Sequence, residues 1–140
     1  MKRLMLLFAV SLFLISSFQI FPQETTVKTS AEMEACFKTL QQGLNSENTG
    51  LIAGCAYMSG ELRCERSIIP LMKMLHNSES EELRILAALS LYKIGDSRGI
   101  FAIKQSIKFD ESERVQRMCS IFYKAYMDKA PESTINLALK

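Results

Sequence analysis

The chain has 140 residues, 48% of them apolar and 23% charged, which suits one packed domain and leaves little room for two. Its formal net charge is +2, and Lys2 and Arg3 account for all of it. The remainder is neutral, which does not argue for a nucleic acid or an anionic membrane surface as partner, since these usually demand a basic face. One histidine and no Cys-x-x-Cys pair exclude an ordinary zinc site, and nothing calls for a cofactor.

Residues 1–21 open with the positive pair Lys2 and Arg3. An apolar run over 4–15 follows, broken only by Ser11, and Ser16, Ser17 and Gln19 then dilute it. Charge, apolar core and small polar residues in that order make a secretory signal peptide. No Ala-x-Ala cleavage site stands there, so an uncleaved N-terminal anchor is the alternative. The expected location is periplasmic or secreted, or the inner membrane if the segment is retained. Residues 22–29 are mostly polar and read as a flexible tether.

From residue 30 onward apolar residues recur at helical spacing. The pattern predicts seven helices, over 30–44, 47–59, 65–76, 79–94, 97–108, 111–128 and 131–140. Odd-numbered helices carry narrow stripes (Ile68, Leu71 and Leu75, or Ile100, Ile103 and Ile107). Even-numbered ones are apolar over a wider arc, as helices touching neighbours on two sides must be. Ser78 and Asp110, followed three residues on by Glu81 and Glu113, read as capping boxes at helix starts. Gly60 and Gly95 suit left-handed helix ends, and Asp96 suits an N-cap. Pro131 suits the first turn of a final helix, whose Ile135, Leu137 and Leu139 would cover the helices before it.

The predicted elements repeat with an offset of about 32 residues. Arg66, Ile68 and Leu71 match Arg98, Ile100 and Ile103; Leu83, Ala87 and Leu89 match Val115, Cys119 and Ile121. A weaker first unit aligns Tyr57 with Tyr92 and Gly60 with Gly95. Self-similarity at this period marks a helical repeat array.

The segment Glu82-Leu83-Arg84-Ile85-Leu86-Ala87-Ala88-Leu89-Ser90-Leu91-Tyr92-Lys93-Ile94-Gly95-Asp96-Ser97-Arg98 resembles the short HEAT-like repeat also found in relatives of bilin lyases. The resemblance covers roughly two thirds of the chain beyond its leader and is weak before residue 60. It implies an all-α fold, a short right-handed α-solenoid of about three helix pairs plus a C-terminal capping helix, over residues 30–140. It also implies a concave binding face lined by the second helix of each pair, while saying little of function.

The chain departs from that pattern at Ile85, Leu89 and Tyr92, apolar where the family is usually polar and spaced to share one helix face. With Tyr57, Arg84, Arg117, Ile121 and Lys124 they form the expected protein-binding surface, aliphatics and aromatics supplying burial and basic residues setting orientation. Packing against the N-terminal tether is the blander account of the same stripe. Arg66, Arg84 and Arg98 have a competing structural role, pairing with Asp96 or with the glutamates at neighbouring helix starts.

Catalysis finds no support. His76 lies at a helix end, the carboxylates cluster in first helical turns where they complement the helix dipole, and no Gly-x-Ser-x-Gly, phosphate loop or His-Glu-x-x-His occurs. Cys36, Cys55 and Cys119 fall on apolar helix faces as buried thiols. An exported chain also admits a disulfide, and Cys64 with Cys55 or Cys36 is the candidate pair. The expected activity is binding of another protein, with self-association as the second reading and a lyase-accessory role as the third.

Overall fold

A computed structural model of the chain describes residues 30–129. Among them lie six α-helices and no strand: α1 (Ser30–Leu44), α2 (Thr49–Glu61), α3 (Ile68–Asn77, preceded by a 3-10 turn at Glu65–Ser67), α4 (Glu81–Ile94), α5 (Ser97–Phe109) and α6 (Glu113–Lys129). The predicted leader, tether and seventh helix lie outside the described residues. No described helix is long and apolar enough to cross a membrane.

Each odd-numbered helix packs on the even-numbered one that follows. The even-numbered helices also neighbour one another in chain order, α2 on α4 and α4 on α6, and α1, α3 and α5 make the corresponding contacts. The narrow stripes explain this. In α3 Ile68 and Leu71 are fully buried and Leu75 is 1% exposed; in α5 Ile103 is fully buried and Ile100 nearly so. Each such side chain contributes on the order of 1.5–3 kcal/mol of burial. The wider α4 buries Ala87, Ala88 and Leu91 completely, its small residues letting neighbours approach.

Charged side chains also pair at the 32-residue offset of the apolar pattern. Three charged pairs join residues 32 apart: Glu34 with Arg66, Glu61 with Lys93, and Glu82 with Arg114. The Glu61–Lys93 pair, with Lys93 Nζ 4.7 Å from the centre of the Tyr57 ring, sets α2 at this offset too. Tyr57 therefore stands level with Leu89 and not, as the sequence suggested, with Tyr92. The cause is the end of α2, which runs two residues further than predicted.

Helix ends correct the expectation twice. The side chains capping α4 and α6 are Ser80 and Ser112, which accept from Leu83 N at 3.3 Å and Val115 N at 3.4 Å. Two residues earlier, the Ser78 carbonyl and the Asp110 carboxylate accept from Arg84, as described below. Gly60 is no left-handed terminus: it is buried within α2, and a Cβ added there would meet Ser90 Cα at 2.9 Å. The left-handed residue after α2 is Arg63, at φ 48°. Gly95, at φ 76°, ends α4 as expected, and Asp96 caps α5 by accepting from Arg98 N at 2.9 Å.

Candidate functional site

The residues expected to form the binding face divide into three groups. Ile85, Leu89 and Tyr92 are half-buried and pack on the main core. The Tyr92 ring stacks on that of Phe122, centroids 5.9 Å apart, and its hydroxyl accepts from Lys129 Nζ at 2.7 Å. Tyr57 is 46% and Ile121 53% exposed, with Arg117 and Lys124 exposed on either side of Ile121 along α6. These four remain available to a partner. Arg84 does not.

Arg84 is only 4% exposed. Its Nε and Nη2 donate to the two carboxylate oxygens of Asp110, each at 3.1 Å. Its Nη1 donates to the carbonyls of Ser78 at 2.7 Å and Glu79 at 3.2 Å. Glu111 Oε1 lies 3.5 Å from Nη2. A buried guanidinium held by a fork-to-fork pair and two carbonyls is fully engaged, so it joins the loop before α4 to the loop before α6. The role is structural, but the main partner is Asp110 and not the Asp96 or helix-start glutamates expected from the sequence. Likewise Arg98 pairs with Asp96 and Arg66 with Glu34. The Arg98 hydrogen bond holds the Asp96 carboxyl below its usual range, and the Lys93 hydrogen bond does the same for Glu61.

A second surface was not singled out in the sequence. Between α3 and α5 runs an open groove of about 850 Å³. Met72, Leu75 and Ala102 line it, and Ile69, Phe101 and Phe109 project at its walls, 50%, 59% and 76% exposed. One end is closed by Arg84 and Asp110 with Glu79 and Glu111 beside them. Lys73, His76 and Gln105 are among the other polar residues along it. The signal was present: Ile68-Ile69 and Ile100-Phe101 are apolar doublets one period apart. Adjacent helical residues point about 100° apart, so one member of each doublet enters the core and the other cannot.

All four cysteines are free thiols. Cys55 Sγ faces α1, where a Cβ on Gly43 would come within 2.1 Å of it. Cys64 is fully buried in the loop after α2, its N–H donating to Ser59 O at 2.9 Å. The candidate bridge between them is not formed here. Burial, reinforced by the Asp110 charge, pushes the Cys119 thiol up to about 12. No cluster of three metal-ligating side chains occurs among the described residues. Neither a comparison with protein-family models nor one with curated proteins finds a match for the chain.

Proposed function

We propose that the chain is an exported HEAT-like α-solenoid that binds another protein, with the outer groove between α3 and α5 as its main contact surface. The solenoid reading is supported by the repeated helix-on-helix neighbours and by the three charged pairs at one spacing. Export, to the periplasm or beyond, rests on residues 1–21, which read as a signal peptide or, uncleaved, as an anchor.

The observation that carries the binding reading is the groove itself. Ile69, Phe101 and Phe109 expose large apolar surface on rigid helices around a concave, mostly apolar floor, the arrangement in which aromatic contacts dominate protein association. The even-numbered helices offer a second, smaller surface. Ile121 with Arg117 and Lys124 favours it, and it suits self-association as well as a separate partner.

Capture from a membrane-enriched extract of the source cells, with chemical crosslinking, tests the assignment. Three baits are compared: the unchanged chain, Phe101→Ser/Phe109→Ser, and Tyr57→Ser/Ile121→Ser. All four substituted positions are exposed, so the baits should keep their helical circular dichroism. A protein retained by the first and third and lost by the second supports the groove. Loss only by the third moves the surface to α2 and α6, and equal retention by all three removes both.

A further inference from the structure

The groove between α3 and α5 has a shape that selects among occupants. One wall runs from Ile69 to Asn77 and the other from Phe101 to Phe109, each about 12 Å of helix. Between the two phenylalanines the α5 wall carries Ala102 and Ser106, small side chains that leave room for larger ones from outside. Both walls are α-helices, so their backbone N–H and C=O groups are bonded within each helix. An extended peptide laid there would bring its own unpaired main-chain groups onto apolar carbon, which is costly. A helical segment satisfies its backbone internally and offers apolar side chains at i, i+3 or i+4, and i+7 to a groove of this kind.

Charge is spread unevenly along it. The closed end holds one cation, Arg84, and three carboxylates, Asp110, Glu79 and Glu111. Arg84 and Asp110 cancel each other, their side chains only 5% and 6% exposed. The Glu111 side chain is 85% exposed and comes no nearer to Arg84 Nη2 than 3.5 Å. Glu79 is exposed on the neighbouring loop. Both α3 and α5 finish at this end, where a helix carries its partial negative charge. His76 and Lys108 lie in their last turns, but Lys108 does not line the groove, and Lys73 stands about midway along the α3 wall. The closed end is therefore the negative one.

We infer that the groove takes an amphipathic helical segment of another protein, with large apolar side chains on one face and a lysine or arginine at the end that meets Glu79 and Glu111. The inference rests on the groove being the contact surface proposed above, and it adds the partner's chemistry and direction. The apolar face of the segment covers the floor between Ile69 and the two phenylalanines. Its basic end faces the two exposed carboxylates, and this match of opposite charges fixes which way round the segment lies. Lys73 disfavours a second basic residue midway, which sharpens the choice by repulsion. The same negative end repels an anionic lipid headgroup or a fatty-acid carboxylate, so an acyl chain is not the occupant.

The test selects from a displayed library of random peptides of about 14 residues, ~20 Å when helical, against the full chain, and measures the enriched peptides by fluorescence anisotropy. They should carry apolar residues at helical spacing with Lys or Arg toward one end, gain helical circular dichroism on binding, and be lost on Phe101→Ser/Phe109→Ser. Glu79→Gln/Glu111→Gln changes two exposed positions and should keep the parent Tm. It should weaken the peptides by about threefold or more and flatten their dependence on salt. Glu47→Gln, exposed and outside the groove, should do neither. Peptides that need the two phenylalanines yet ignore the Glu79/Glu111 double variant, or that bind without becoming helical, overturn the inference and leave the groove as a contact surface. Peptides indifferent to the phenylalanines, or no enrichment at all, overturn both readings.

Discussion

The two junctions between the three helix pairs share one spacing and differ in chemistry. Where the first pair meets the second, the joint is made by close approach. Gly60 lets α2 lie against the backbone of α4 at Ser90, and the Ser59 and Ser67 hydroxyls share a buried hydrogen bond of 2.9 Å. Its charged pairs, Glu34–Arg66 and Glu61–Lys93, are partly exposed. Where the second pair meets the third, a buried ion pair, Arg84–Asp110, ties two loops together. One period earlier those positions are Ile52 and Ser78, which cannot form one. A repeat fixes which residues meet, and each junction then settles its own contact chemistry. Both use a glycine, Gly60 against the Ser90 backbone and Gly99 against the Leu91 side chain, but only the second adds a buried ion pair.

Substitutions can break this contrast at either end. The largest effect should come from Arg84→Met, which leaves Asp110 buried without its partner; urea unfolding should show a loss of about 3–5 kcal/mol. Adding Asp110→Asn should recover part of it, and a double variant as unstable as the single would show that the pair is not what holds the junction. Gly60→Ala comes next. Alanine favours the helix by about 1 kcal/mol, but its Cβ must displace the Ser90 backbone, and overpacking costs about 1–3 kcal/mol. A net loss of about 1 kcal/mol is expected, with loosened amide exchange across α2 and α4. Gly54→Ala is the internal control, since nothing lies within 4 Å of a Cβ there. It should stabilise by about 0.5–1 kcal/mol, and if both alanines act alike the close-approach account fails.

Smaller effects sharpen the register. Ser80→Ala and Ser112→Ala should each cost about 1 kcal/mol and by similar amounts, whereas Ser78→Ala, which leaves the carbonyl used by Arg84 in place, should cost little. The smallest effect is one of pH. Asp96 has its carboxyl depressed by Arg98, so its contribution is present above the unfolded value near pH 4 and is lost as pH falls through the folded one. Asp96→Asn keeps a capping side chain and removes that proton site. The acid-induced fall of its urea midpoint should therefore be slightly shallower than that of the unchanged chain.

Much of the helical content was legible because apolar spacing and caps agreed. The bounds of α1 match the prediction, and those of α3 and α5 lie within three residues of it once the 3-10 turn before α3 is counted apart. The starts of α4 and α6, each two residues later than predicted, have one cause. Ser78 and Asp110 look like caps in isolation, but a long-range partner, Arg84, engages both loops, and the serine two residues on takes the helix start. Gly60 misled for a similar reason, since a glycine that permits a left-handed turn also permits close packing. Of the residues expected to face a partner, only the exposure can be compared. Tyr57, Arg117, Ile121 and Lys124 are exposed, whereas Leu89 is half-buried on the core, so Leu89→Glu would test folding more than binding. The groove escaped because it belongs to the narrow-striped helices, where Ile69 and Phe101 sit one residue from the core stripe and local pattern does not tell which of two neighbours stays outside.

The buried Cys119 thiol has a consequence in time rather than in space. With burial and the Asp110 charge pushing the thiol up to about 12, Cys119 carries far less thiolate near pH 8 than an ordinary exposed cysteine. Burial also keeps any reagent away from it. A thiol of this kind is silent to alkylation and disulfide exchange until α6 comes away from its neighbours. Its labelling rate is then a clock for the opening of the third helix pair, and it can be read on the unmodified chain.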